Sequence, residues 1–371
     1  MVYSSYPPPY SLTWEAESRR FDGWCRTMEL LVGLTVACVV LLVMFDYTNG
    51  FNDTANMIAS VVATRAMTPM QAISVVSLFT FLGPVLGGTA VADTLGQFIR
   101  LDGYSPAAGI VIVLSGAAGA ISWNVLTWWR GLPSSSTHAL VGGLLGAVLI
   151  SAGPDHVSWG WHALLEHGEF TGVSKIVTAL LISPVAGFAV GWLLLKVLRL
   201  LLRRATPAAN RPLRRLQWLG AAWLAFTHGT NDGQKSMGVI TMVLLLGGFI
   251  PRFEVPWWVI LVCAAAITLG TMSGGWRIVR TVGFGIYKLR PVHALADQLS
   301  AAAVIEGAAL FGGPVSTTHV VSSAIMGIGS AERPKAVRWS KAGEIVFTWL
   351  VTLPVAALFG AGGWYFLRLI P

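Results

Sequence analysis

Tyr47-Thr-Asn-Gly-Phe-Asn-Asp53 recurs as Phe226-Thr-His-Gly-Thr-Asn-Asp232, about 179 residues further along the chain. An unrelated motif, Gly131-Leu-Pro-Ser-Ser-Ser-Thr-His138, recurs as Gly312-Gly-Pro-Val-Ser-Thr-Thr-His319, about 181 residues on. Two motifs repeated in one order at nearly one offset mark an internal duplication. The expected divisions are a tail over 1–27, a first repeat over 28–202, a basic linker over 203–215 and a second repeat over 216–371.

Both motif pairs lie in or beside long apolar runs. Of the 371 residues, 54% are hydrophobic and only 11% charged, against roughly 25% charged in soluble domains. The runs around 30–45, 176–202 and 345–367 exceed the roughly 18 apolar residues that a spanning helix needs. The chain therefore reads as an all-α integral membrane protein with roughly ten to twelve spanning or half-spanning segments. Its first 26 residues lack a cleavable signal pattern and read as a flexible tail or a short amphipathic segment. The net charge of +8 comes from basic residues in short loops, so it reports topology and implies no nucleic-acid partner. Cys25, Cys38 and Cys263 have no metal-like spacing, and no metal-ligand set can be assigned.

Loop charges orient the two halves. Arg65, the arginines of 203–215, Arg277, Arg280, Lys288, Arg290, Arg333, Lys335, Arg338 and Lys341 form one group. The loops near 93–104, 153–172 and 249–256 are acidic, with Asp93, Asp102, Asp155, Glu166, Glu169 and Glu254. The positive-inside rule puts the first group in the cytoplasm. Equivalent loops of the two halves then face opposite sides, which predicts two inverted-topology repeats with both termini outside the cytoplasm.

The repeated motifs place polar groups where lipid disfavours them by roughly 2.5–3.5 kcal/mol per charge. Asn49, Asn52, Asp53 and Asn56 follow one apolar run, and Asn231, Asp232 and Lys235 follow the other. Gly50 and Gly229 predict that each helix breaks there and lends backbone groups to a ligand. The Asn and Asp oxygens suit a coupling cation or, alternatively, cap a helix after a loop. Pro133 and Pro314 precede hydroxyl runs that read as helix N-termini of re-entrant or hairpin helices. Amides and hydroxyls of Ser135, Ser136, Thr137, Ser316, Thr317 and Thr318 would cradle a tetrahedral oxyanion. His138 and His319 read as structural locks or as proton-coupling groups.

These four motifs, with Gly275-Trp-Arg-Ile-Val-Arg-Thr-Val-Gly283, resemble the signatures of the inorganic phosphate transporter (PiT) family over about 28–370. The resemblance implies a multi-pass symporter of inorganic phosphate in the bacterial inner membrane, with phosphate between two repeats and a homodimeric assembly. It implies no enzyme activity and no bound cofactor. Sodium-coupled members carry glutamates where this chain aligns Thr80 and Gln298. The closer resemblance is to the bacterial low-affinity branch, in which protons drive uptake and a divalent metal accompanies phosphate. Sodium coupling and transport of another oxyanion, such as sulfate, are the alternatives. An intramembrane hydrolase using Ser136 or Thr317 would need a third triad member that the motif lacks. An anion channel would show no accumulation against a gradient.

Overall fold

The computed structural model describes the backbone of residues 11–101 and 103–368, and the side chains of 27–101, 103–275, 278, 279 and 281–368. The first ten residues of the expected tail, and Asp102, lie outside the described residues. Thirteen α-helices follow in order among the described residues. They are α1 (Ser11–Ala63), α2 (Pro69–Leu86), α3 (Ala90–Gly96), α4 (Pro106–Arg130), α5 (Ser136–Ser151), α6 (Trp161–His167) and α7 (Gly172–Leu201). Then come α8 (Asn210–Leu246), α9 (Trp257–Ser273), α10 (Trp276–Gly285), α11 (Pro291–Leu310), α12 (Thr317–Glu332) and α13 (Trp339–Arg368).

Among the described residues five helical spans, beginning at Thr27 within α1 and at Pro69, Pro106, Gly172 and Trp339, are long and apolar enough to cross a membrane. The burial pattern is that of a lipid-facing protein. Val36, Val40, Leu181, Ile182, Val185 and Leu350 are exposed, whereas Asp46, Asn49, Asp53, His228, Asp232, Lys235 and Asp297 are buried. Apolar side chains outward and polar side chains inward suit hydrocarbon as the solvent.

Local sequence sets the helix ends. Thr68 and Gln71 form a capping box at α2 with Pro69 in the first turn. Ser105 caps α4 ahead of Pro106. Gly131 ends α4 at φ +67° and Gly312 follows α11 at φ +66°, a left-handed conformation that glycine adopts without a Cβ penalty. Ser135 and Ser316 then cap α5 and α12 with nearly the same φ, −100° and −99°. The two copies of the Pro-Ser/Thr motif thus share one backbone path.

The expected break at Gly50 and Gly229 does not occur: α1 and α8 run unbroken through both glycines. Each glycine instead lets a neighbouring backbone approach. A Cβ on Gly50 would lie 2.0 Å from the carbonyl oxygen of Ile267 in α9, and one on Gly229 would lie 2.4 Å from that of Thr80 in α2. Small residues that admit such contact are a packing device of membrane helices. The interruption falls in the second motif, between α4 and α5 and between α11 and α12. Two helices begin inside segments named in the sequence reading. Residues 11–27 continue α1, and the basic 203–215 stretch already enters α8 at Asn210.

The helix pairings recur with partners exchanged: α5 packs on α13 as α12 packs on α7, and α2 on α8 as α9 on α1. Two large apolar clusters lie on either side of a polar layer. α1 gives Leu31–Phe45 side chains to the first and Ala55–Val61 side chains to the second, whereas α8 gives Met237–Leu244 to the first and Ala221–Ala225 to the second. The two long helices therefore pass through the same layers in opposite order.

Candidate functional site

The polar layer is where α1 and α8 cross and where the N-termini of α5 and α12 arrive. Asp53 on α1 and Asp232 on α8 are its centre. Asn56 Nδ2 donates to Asp53 Oδ1 over 2.8 Å, and Thr318 Oγ1 donates to the same oxygen over 2.8 Å. Asn56 Nδ2 also reaches Thr318 Oγ1, at 2.9 Å. On the other side Lys235 Nζ lies 2.7 Å from Asp232 Oδ2. Asn49 Nδ2 donates to Asp232 Oδ2 over 3.2 Å, and Thr317 Oγ1 donates to Asp232 Oδ1 over 3.2 Å. Ser136 Oγ stands 3.5 Å from Asp232 Oδ2 and 3.4 Å from Lys235 Nζ.

Of the hydroxyls expected to cradle an anion, Ser136, Thr317 and Thr318 thus face the two carboxylates. Ser135 and Ser316 accept from the amides of His138 and His319 as helix caps. Thr137 Oγ1 donates to Val315 O over 2.8 Å, which ties the start of α5 to the loop before α12. Asn231 clasps that loop as well, donating to Gly313 O and accepting from the Val315 amide. Asn52 donates to the carbonyl of Asn124 in α4. None of the thirteen residues singled out in the sequence is more than 6% exposed, so the site is closed to bulk water on both sides.

His138 and His319 lie behind the helix starts, their rings 4.7 Å apart, and His319 stacks on Trp349 at 4.0 Å. Ser135 Oγ meets His138 Nδ1 at 2.7 Å. Thr80 donates to Met57 Sδ, and Gln298 donates to Ser60 Oγ, so both neutral side chains are buried against α1.

Three residues add to the sequence reading. His228 Nδ1 is 3.2 Å from Thr317 Oγ1 and 3.8 Å from Asp232 Oδ2. With Asp53 and Asp232 it forms a group whose ligand atoms all lie within 4.8 Å of one another, a spacing that can hold a cation. Asn124 enters as the partner of Asn52. Asp297, next to Gln298, is fully buried beside Ser60. Its signal in the sequence is an acid, one of two with Glu306, within the largely apolar stretch of 291–310.

The arrangement offers hydroxyl donors at two converging helix N-termini, two carboxylates and one fixed ammonium. Among the described residues the hydroxyl–imidazole contacts, Ser135 with His138 and Thr317 with His228, are buried or half-buried and face no open cleft. A family model described as "Phosphate transporter family" matches residues 49–360. A Bacillus subtilis protein named "Probable low-affinity inorganic phosphate transporter" is 41% identical over 92% of this chain and all of its own length. A Rhizobium meliloti protein of the same name is 41% identical over 90% of this chain and 95% of its own. The solved structure titled "The sodium-dependent phosphate transporter" shares the fold, with a TM-score of 0.81 over 91% of this chain and 100% of its own at 24% identity. The Asp53–Asp232 layer falls inside the matched region, and the chain belongs to the phosphate transporter family: it is a transporter and not an enzyme.

Proposed function

We propose that the chain is a proton-coupled phosphate symporter in which phosphate and the two aspartates compete for the same hydroxyls. The observation that carries this reading is the engagement of Ser136, Thr317 and Thr318 with Asp232 and Asp53. A phosphate anion needs those donors, and it is repelled by unneutralised carboxylates a few ångströms away. Protonating Asp53 and Asp232 removes the repulsion and weakens the hold of the acids on the hydroxyls. The anion then takes the donors of Ser136, Thr137, Thr317 and Thr318 and the amides of the turns capped by Ser135 and Ser316. Lys235 supplies one fixed positive charge, with no counterpart at Asn56. Asn49, Asn52 and Asn231 hold the surrounding backbone and carboxylates in place.

The reading includes two inverted repeats that alternate access, supported by the opposite order in which α1 and α8 cross the apolar clusters. It also places the chain in the inner membrane with the basic 203–215 segment in the cytoplasm and both termini outside. A second reading rests on the Asp53–His228–Asp232 group: a sodium or divalent cation neutralises the acids, and phosphate travels with it. Phosphate uptake into proteoliposomes, with proton, sodium and divalent-metal gradients imposed one at a time, separates the two. Accumulation driven by external acid alone is expected; accumulation driven by sodium alone would replace the first reading with the second.

A further inference from the structure

A polar cavity of about 600 Å³ opens among the acidic loops, beside the turn that leads into α12. Asp93 and Thr94 of α3, Arg100, Thr171, Lys175 of α7 and Gly312 line it. Thr94 Oγ1 donates to Gly312 O over 2.7 Å, and on the next residue Asn231 Nδ2 donates to Gly313 O over 3.1 Å. Asn231 precedes Asp232, so the cavity and the carboxylate layer are separated by one turn of chain. The layer is closed to water and the cavity is not: Asp93, Arg100 and Thr171 are exposed and Lys175 is half-buried.

The duplication explains part of this wall. Thr281 of α10 donates to Gly131 O over 3.2 Å, as Thr94 of α3 does to Gly312 O, so that contact belongs to both halves. The lysine does not. Pro154-Asp-His-Val-Ser-Trp159 recurs as Pro334-Lys-Ala-Val-Arg-Trp339 about 180 residues on, and each Trp Nε1 donates to its Pro carbonyl over 3.0 Å. Pro184 inside α7 and Pro354 inside α13 are only about 170 residues apart. About ten extra residues therefore lie between Trp159 and Pro184 in the first half, the stretch that holds α6 and ends at the cavity wall. At equal spacing from the proline, Lys175 corresponds to Ile345, which is buried in the apolar core. Symmetry thus accounts for neither Lys175 nor the wall before it.

Lys175 stands in the first turn of α7, where the positive end of the helix disfavours a cation. The Val173 and Ser174 amides there already donate to Ser158 O and Trp159 O, so the helix end adds its field rather than these donors. A lysine at the rim of a span ordinarily snorkels toward the headgroups. This one lies against the turn instead: a Cβ on Gly312 would be 3.0 Å from its Nζ. Arg100 is held at the cavity by backbone pairing, its amide donating to His156 O and the Ser158 amide to Phe98 O, both over 2.8 Å. Among the described residues neither cation is within ion-pairing distance of a carboxylate, whereas Arg252 is paired with Glu254 at 2.8 Å. Asp93 is near enough for its charge to reach Lys175. Two cations, a helix start and one carboxylate leave the cavity positive amid loops that carry Asp155, Glu166, Glu169 and Glu254. Such a cavity concentrates small anions.

We propose that it is a waiting site for the phosphate oxyanion on the outer face, where Lys175 and Arg100 hold the anion while the layer is closed. The site rests on the transport reading and the orientation given above. Ser158 and Thr171 line the cavity as further donors, and Asp93 opposes the anion, which keeps it from being held too tightly to move on. A phosphate group could also arrive as a lipid headgroup, because an apolar groove between α7 and α11 shares Phe170, Lys175 and Phe311 with the cavity. The polar, water-exposed walls favour the free anion.

Initial rates of uptake into phosphatidylcholine proteoliposomes, with external phosphate varied, test it. Lys175→Gln and Arg100→Gln should each raise KM about threefold to tenfold and leave kcat within about twofold, the pattern of lost binding. Lys175→Arg should keep KM near that of the unaltered protein. Asp93→Asn should lower KM, a sign that a merely structural cluster would not give. Added salt should raise KM more steeply in the unaltered protein than in the Gln variants. If Lys175→Gln does not fold, Arg100→Gln and Asp93→Asn decide. KM unchanged in the folded variants would overturn the waiting site. A second set of vesicles contains phosphatidylglycerol: variants that differ from the unaltered protein only there would show a lipid headgroup on Lys175, and the proposal falls. An unaltered protein that takes up no phosphate would overturn the transport reading itself.

Discussion

Lys235 and Asp232 form an ion pair 2.7 Å long with neither side chain exposed, and the matching positions on α1 hold Asn56 and Asp53 at 2.8 Å. The geometry is the same, one turn of helix, and the charge is not. Breaking a buried pair by removing one partner costs about 3–5 kcal/mol, because the other charge is left uncompensated. Asp232→Asn and Lys235→Met should therefore each lower the thermal stability of the purified protein sharply. The double variant should recover most of the loss in the same unfolding assay. Additive losses would mean that the two groups are stabilised separately.

Asp53 has no such cation. Asp53→Asn should leave the fold intact, since an amide replaces an acid of the same shape. It should remove proton-driven accumulation while phosphate exchange at equal pH persists. Uptake and exchange assays on one preparation give both numbers.

The hydroxyls provide the next test. Ser136→Ala and Thr317→Ala together should weaken phosphate binding, each lost bond to a charged group being worth about 1.5–3 kcal/mol. Calorimetric titration with phosphate measures it. Affinity equal to that of the unaltered protein would place the anion elsewhere.

Packing makes its own prediction. Gly50→Ala and Gly229→Ala force a methyl against the carbonyls of Ile267 and Thr80 and should each cost about 1–3 kcal/mol. Gly343→Ala in α13, where a methyl meets nothing within 4 Å, should be neutral or slightly stabilising. Thermal unfolding of the three variants compares them directly.

Orientation can be read chemically. In a background without Cys25, Cys38 and Cys263, single cysteines at Glu166 and Arg211 should react with an impermeant maleimide from opposite sides. Reaction of both from one side would end the inverted-repeat reading.

What the sequence made legible was the chemistry that is local. Pro followed by Ser and Thr specifies a helix start wherever it occurs, and Ser135 and Ser316 cap their helices as that code requires. Asp53, Asn56, Asp232 and Lys235 stood out because lipid disfavours them, and they do meet. The misreading came from Gly50 and Gly229, whose role depends on Ile267 and Thr80, partners more than a hundred residues away in sequence. Asp297 was hidden for a similar reason. Its burial beside Ser60 is a property of where α1 and α8 pass it, which no window of residues around 297 contains.

The contacts at Gly50 and Gly229 also bear on mechanics. Where backbone touches backbone, no layer of side chains remains to be compressed or sheared, so α1 with α9, and α8 with α2, behave as two stiff beams. Rotation has to be taken up where the chain is neither helical nor braced in this way. The non-helical stretch at 131–135 satisfies that description, whereas 312–316 is clasped by Asn231 at Gly313 and Val315; both lead straight into the hydroxyls beside Asp53 and Asp232. A rotation at 131–135 would swing Ser136 while the beams carry the load.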